Sequence, residues 1–118
     1  MLAIISPSKT QDFSQCNIDV FSQTRQIESS NELIGILKNK SKSQISKLMS
    51  LSEKLSELNF DRFQKFQLPF TLKNAKQAIL AFKGDVYNGI NAPELSHEDL
   101  EFAQGKVRML SGLYGVIR

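Results

Sequence analysis

Two lysine-centred groups and one lysine-flanked turn are the places where this sequence could do chemistry. The first group, Ser6-Pro-Ser-Lys-Thr10, follows the apolar run Leu2-Ala-Ile-Ile5. Lys9, with the hydroxyls of Ser6, Ser8 and Thr10 around it, can hold an anion such as phosphate. Ligands of open α/β sheets bind at the carboxyl ends of strands, which is where this group would lie. The second group, Lys83-Gly-Asp-Val-Tyr87, follows the apolar run Ala78-Ile-Leu-Ala-Phe82. Gly84 permits close backbone approach. Lys83 and Asp85 set opposite charges around it, and Asp85 or Tyr87 can act as an acid–base group. If the two apolar runs are parallel neighbouring strands, the groups converge on a polar cleft for an anion or a nucleotide, to which Arg108 and Tyr114 add. The plain alternative is a pair of structural turns in which Asp85 accepts backbone hydrogen bonds.

The lysine-flanked turn lies in Ile45-Ser-Lys-Leu-Met-Ser-Leu-Ser-Glu-Lys-Leu-Ser-Glu-Leu58. It bears comparison with a helix-hairpin-helix, usually Leu-Pro-Gly-Ile-Gly between two short helices. That hairpin offers backbone N–H groups at a helix N-terminus to a DNA phosphate, beside a basic side chain. Here Leu48 and Leu51 fit the apolar anchors, and Met49 stands in the proline position. Ser50 and Ser52 replace the glycines, which keeps the residues small but gives up easy access to positive φ. Lys47 and Lys54 flank the turn as phosphate contacts. The alternative is an ordinary helical hairpin with a serine cap.

The remaining chemistry-bearing residues are poorly placed. His97, the single histidine, lies on an acidic helix start, which suits a surface residue better than a catalyst. Cys16, the single cysteine, has no basic neighbour to lower its pKa. One His and one Cys make a poor transition-metal site, so no metal and no cofactor is expected. No Walker-type loop, dinucleotide fingerprint or serine-hydrolase elbow occurs. Among enzyme classes, only an uncharacterised one using the anion cleft stays open.

The elements that must position these groups follow from composition and period. At 118 residues the chain has room for one core, and 41% apolar content with eight Phe excludes wholesale disorder. A lone Cys fits a reducing compartment, and the short apolar start is no signal peptide, so a cytoplasmic, membrane-free protein is expected. Net charge is +3, but Lys38 to Lys76 carries nine basic residues against three acidic ones. Such a basic middle permits nucleic-acid contact, and equally suits a solvated helical face.

Leu2–Ile5 is expected to be a buried strand, and residues 11–29 an irregular surface connection. Ser29 or Ser30 caps a helix over 31–39, with Leu33, Ile34 and Leu37 inward. Ser41 or Ser43 caps a second helix with Ile45, Leu48 and Met49 inward. A third runs from Glu53 to about Phe66 on Leu55, Leu58, Phe63 and Phe66. Thr71 caps a short helix to about Gln77, Ala78–Phe82 is a second buried strand, and Asn88-Gly89 marks a turn. Ser96, with Asp99 at the box position, starts a helix running to about Leu110. Gly112 and Gly115 turn the chain. Val116 and Ile117 then begin a strand too short to pair usefully. The expectation is a mixed α/β fold with few buried strands and a helical hairpin at 43–66, in a single domain that is incomplete at its C-terminal side.

Three stretches carry a resemblance. Arg108-Met-Leu-Ser-Gly-Leu-Tyr-Gly-Val-Ile-Arg118 resembles the signature of the YaaA family of bacterial peroxide-stress proteins. Ile4-Ile-Ser-Pro-Ser-Lys-Thr10 is similar to that family's ISPAKT start, with Ser8 where Ala is common. Gln77-Ala-Ile-Leu-Ala-Phe-Lys-Gly-Asp-Val-Tyr-Asn-Gly89 is similar to its FxGDVYxG motif. The three stand in family order and span the chain, which thus resembles the N-terminal half of such proteins. The resemblance implies a role against hydrogen peroxide, in which unincorporated iron is kept low and DNA and proteins are spared oxidative damage. It also implies binding of double-stranded DNA through a helix-hairpin-helix, led by phosphate contacts with little base readout.

Overall fold

The computed structural model describes residues 1–118 and is mixed α/β. The chain groups into two compact units, Glu28–Pro69 on the one hand and Met1–Ile27 with Phe70–Arg118 on the other. No helix is long and apolar enough to cross a membrane.

The Glu28–Pro69 unit is helical: α1 (Ile27–Lys38), α2 (Lys42–Met49) and α3 (Glu53–Lys65). α1 starts earlier than the serines suggest, so Ser29 and Ser30 lie inside it, Ser30 fully buried. Serine's preference for caps gives way here to a further turn that brings in the half-buried Ile27 and the favourable first-turn acid Glu28. α2 begins at a complete capping box. Ser41 Oγ accepts from the Gln44 amide at 3.3 Å, and Gln44 Oε1 accepts from the Ser41 amide at 2.9 Å. Ile34, Ile45, Leu51 and Phe63 are buried, while Leu33, Leu48 and Leu58, expected inward, are exposed. Three short helices cover only a narrow stripe of one another, and those leucines fall at its edges. The ends of α1 and α3 are tied by Lys38 Nζ donating to the Phe66 carbonyl (3.2 Å) and Gln64 Nε2 donating to the Lys38 carbonyl (3.0 Å).

The other unit carries a three-stranded sheet in the order β1 (Ala3–Ile5), β2 (Val107–Ser111), β3 (Gly115–Ile117). β1 runs parallel to β2 with Ile5 opposite Met109, and β3 is antiparallel to β2 with Ile117 opposite Met109. Several sequence expectations are corrected here. Ala78–Ala81 is a single helical turn, α4, and not a strand. A five-residue apolar run has no period to separate strand from buried helix, and its two alanines favour the latter. The strand parallel to β1 is therefore β2, which was expected as the end of the last helix. That helix, α6 (His97–Lys106), has the Ser96–Asp99 capping box but stops before β-branched Val107. Leu110 is consequently exposed, and Met109 is buried. Asn88 and Gly89 sit within α5 (Asp85–Ile90), and the left-handed residue follows at Asn91. Thr71 to Gln77 forms turns and no helix, held by the Thr71 amide donating to Asn74 Oδ1 at 2.7 Å.

The short last strand does pair. Ser111 Oγ accepts from the amides of Leu113 and Tyr114 at 3.2 and 3.1 Å, and Gly115 at φ 68° closes the hairpin. Phe82, Tyr87, Met109 and Ile117 make the core, with Ile5, Ile79 and Ile90 packed against it. β1 is a strand, but Leu2 and Ile4 are exposed. Gln11 forms an isolated antiparallel bridge with Phe82, and residues 12–23 lie as coil on this unit. Lys76 Nζ donates to the carbonyls of Asp12 and Ser14 (3.1 and 2.9 Å), and Gln77 Nε2 donates to those of Ile18 and Val20, each at 2.9 Å.

Candidate functional site

The turn between α2 and α3 is the first candidate. Ser50 takes the left-handed conformation, φ 51° and ψ 53°, so the position keeps the geometry that a glycine would adopt freely. Such a residue costs a non-glycine about 1 kcal/mol. Serine holds it here because the turn is cross-braced: the Ser50 and Leu51 amides both donate to the Ser46 carbonyl, and Ser46 Oγ donates to the Leu51 carbonyl at 2.9 Å. Ser52 caps α3, its Oγ accepting from the Leu55 amide at 3.4 Å, while Ser56 Oγ donates back to the Ser52 carbonyl at 2.7 Å. Lys47 and Lys54, on either side of the turn, are exposed. Leu51 is buried as an anchor, but Leu48 is 66% exposed and anchors nothing.

Sequence inspection missed one brace of this hairpin. Lys42 Nζ reaches Glu57 Oε1 at 2.6 Å and lies 5.6 Å from the centre of the Phe60 ring. The hydrogen bond from Lys42 lowers the Glu57 carboxyl, and the same bond raises the Lys42 ammonium. Lys42 is thereby engaged within the hairpin. A spacing of fifteen residues across a turn leaves no periodic trace in sequence.

The strand-end groups form the second candidate, in the sheet unit. Segments 6–10 and 83–87 do meet, although 78–82 is no strand. The Lys83 amide donates to the Thr10 carbonyl (3.1 Å), the Thr10 amide donates to Ser8 Oγ (3.1 Å), and Tyr87 Oη donates to the Ser6 carbonyl (2.6 Å). Gly84, at φ 127°, precedes α5 and brings its backbone near Ser8 Oγ. Burial raises the Tyr87 hydroxyl, whose proton is committed to Ser6. Lys83 Nζ lies 3.5 Å from Asp12 Oδ2, a partner that sequence inspection did not single out. The Ser14 hydroxyl and amide hold the Asp12 carboxyl down to about 2, assisted by Lys76 and Lys83. Lys9 and Asp85 are exposed.

Arg108 and Tyr114 are engaged elsewhere in this unit. Arg108 Nη1 donates to the carbonyls of Gln104 and Val107 at 2.9 and 2.7 Å. Tyr114 packs against the core, edge-on to Phe70 at 6.1 Å, and burial raises its hydroxyl. A cavity of ≈ 80 Å³ takes Lys83 and Tyr87 into its lining, together with Phe82 and Asn88, but none of the other cleft residues. No group of three or more His, Cys, Asp and Glu side chains could hold a metal ion.

A mixed α/β protein with a serine-capped helical hairpin is thus the class that the geometry defines. Compared with known proteins, residues 1–118 match the family described as peroxide stress protein YaaA, and the chain belongs to that family. It is 50% identical over 119 residues to a UPF0246 protein of Cellvibrio japonicus (strain Ueda107), a match covering 100% of this chain and 46% of that protein. The chain therefore spans about half the length of this curated relative.

Proposed function

We propose that the protein acts in peroxide stress by binding double-stranded DNA through the α2–turn–α3 hairpin. In this reading it limits the damage that unincorporated iron and peroxide do to DNA and proteins, and its effect on iron is indirect. The observation that carries the reading is Ser50 in a left-handed turn, set between a capped helix start and two exposed lysines. Backbone amides at a helix start and flanking ammonium groups suit a phosphate backbone and read little sequence. Seven basic residues against three acidic ones over residues 38–69 favour the same partner.

The test is fluorescence anisotropy of a labelled duplex titrated at several salt concentrations. Saturable binding is expected, with affinity falling steeply as salt rises. In the Lys47→Ala/Lys54→Ala variant the slope of log K against log salt should shrink by about 2, since each phosphate contact contributes about 0.9. An unchanged slope in a folded double variant would remove the hairpin from the interface.

A further inference from the structure

The sheet has two apolar faces, and only one of them is covered. Ile5, Met109 and Ile117 stand in register and point into the core. Strand alternation sends their neighbours Ile4, Leu110 and Val116 to the opposite face, with Leu110 directly opposite Val116. These three are 62%, 53% and 49% exposed. Arg108, opposite Ile4, shares the face, and its guanidinium is turned back onto two main-chain carbonyls. A polar sequence at these positions would mark a solvated face, whereas parallel pairing such as β1–β2 belongs to sheets covered on both sides.

We propose that this face is an interaction surface whose occupant is an apolar-sided segment of the polypeptide that the longer relative carries outside the stretch matched here. Two observations select that occupant. The matched stretch is 46% of the relative, so more than half of that protein lies outside it. The face is also small. Three half-exposed aliphatic residues offer on the order of 300 Å², against about 800 Å² per partner in a stable complex. A second copy of this chain or a free protein would have to overcome the entropy of association on that area alone. A covalently joined segment is spared that cost.

The experiment compares this chain with a chimera in which residues 1–118 replace the matched stretch of the Cellvibrio japonicus relative. Single cysteines, Leu110→Cys or Val116→Cys, are placed in a background without other cysteines, and maleimide labelling rates are measured. Ser43→Cys, at an exposed polar position on α2, is the reference. Both sheet cysteines should label at the reference rate in the chain alone and at least tenfold more slowly in the chimera. Reference-rate labelling in the chimera overturns the proposal. So does protection in the chain alone that grows with protein concentration, since that would make the occupant a second copy. If the chain alone does not hold its fold, the chimera's own ratio of sheet to reference labelling decides.

Discussion

The helical unit and the sheet unit are built on different ranges of contact. In the first, the decisive pairs are near in sequence: Ser41 with Gln44, Ser46 with Leu51, Lys42 with Glu57. In the second they are remote: Ile5 lies beside Met109, Tyr87 binds Ser6, and Lys76 binds Asp12. A short-range unit is specified by caps and spacing that any reader of the chain can see. A long-range unit is specified by which distant apolar residues fit together, and its elements take whatever local form that fit requires.

The sharpest way to break this comparison is kinetic. Ile45→Ala and Met109→Ala each empty a buried aliphatic site and should each cost about 3 kcal/mol in urea unfolding. Their effects should divide differently. Local contacts close cheaply and form early, so Ile45→Ala should mainly slow refolding. Met109→Ala removes contacts that close last and should mainly speed unfolding. If Met109→Ala slows refolding the more, the division by contact range is wrong.

A smaller effect of opposite sign tests the turn. Ser50→Gly removes a side chain from a left-handed position and should stabilise the hairpin by roughly 0.5–1 kcal/mol, read as a higher urea midpoint. A loss of stability would mean that the Ser50 side chain contributes more than its backbone conformation costs.

The smallest effect is in acid. The Asp12 carboxyl, lowered from 3.8 to about 2, contributes stability above pH 3.8 that is lost as pH falls through 2. Glu57 is lowered too and adds a loss of the same sign, from the helical unit. Asp12→Asn and Glu57→Gln should therefore each flatten the acid limb of urea midpoint against pH. The Lys42 ammonium is raised, so its contribution is present below pH 10.5 and fades as pH rises through its folded value. If Asp12→Asn leaves the acid limb unchanged, the Lys83 and Lys76 contacts do not depend on its charge.

How much could be seen in advance follows the same division. Ser96 was legible as a cap, and Ser41 as one of two candidates, because a cap is a local pattern of side chain and amide, whereas Ser29 and Ser30 lie inside α1, where burial outweighs that pattern. Ala78–Ala81 was not, because a short apolar run reads alike as strand or helix; Ala78 and Ile79 pack against the core cluster that includes Phe82 and Tyr87. The meeting of segments 6–10 and 83–87 was legible as a pairing of motifs but not as a geometry. Its hydrogen bonds run through carbonyls that every residue possesses. Lys83 with Asp12 was missed because neither charge signals the other across the chain.

The coil over residues 12–23 shows what such carbonyl contacts allow. Lys76 and Gln77 grip it at four main-chain oxygens and at no side chain. Almost any residue at 18 or 20 would offer the same handle, so much of the instruction for where this stretch lies is stored nearly sixty residues away; the side-chain contacts of Asp12 with Lys83 and of Ser22 with Gln104 supply the rest. Drift at 18 or 20 should leave its path unchanged, whereas a change at Lys76 or Gln77 should loosen it and open it to proteases.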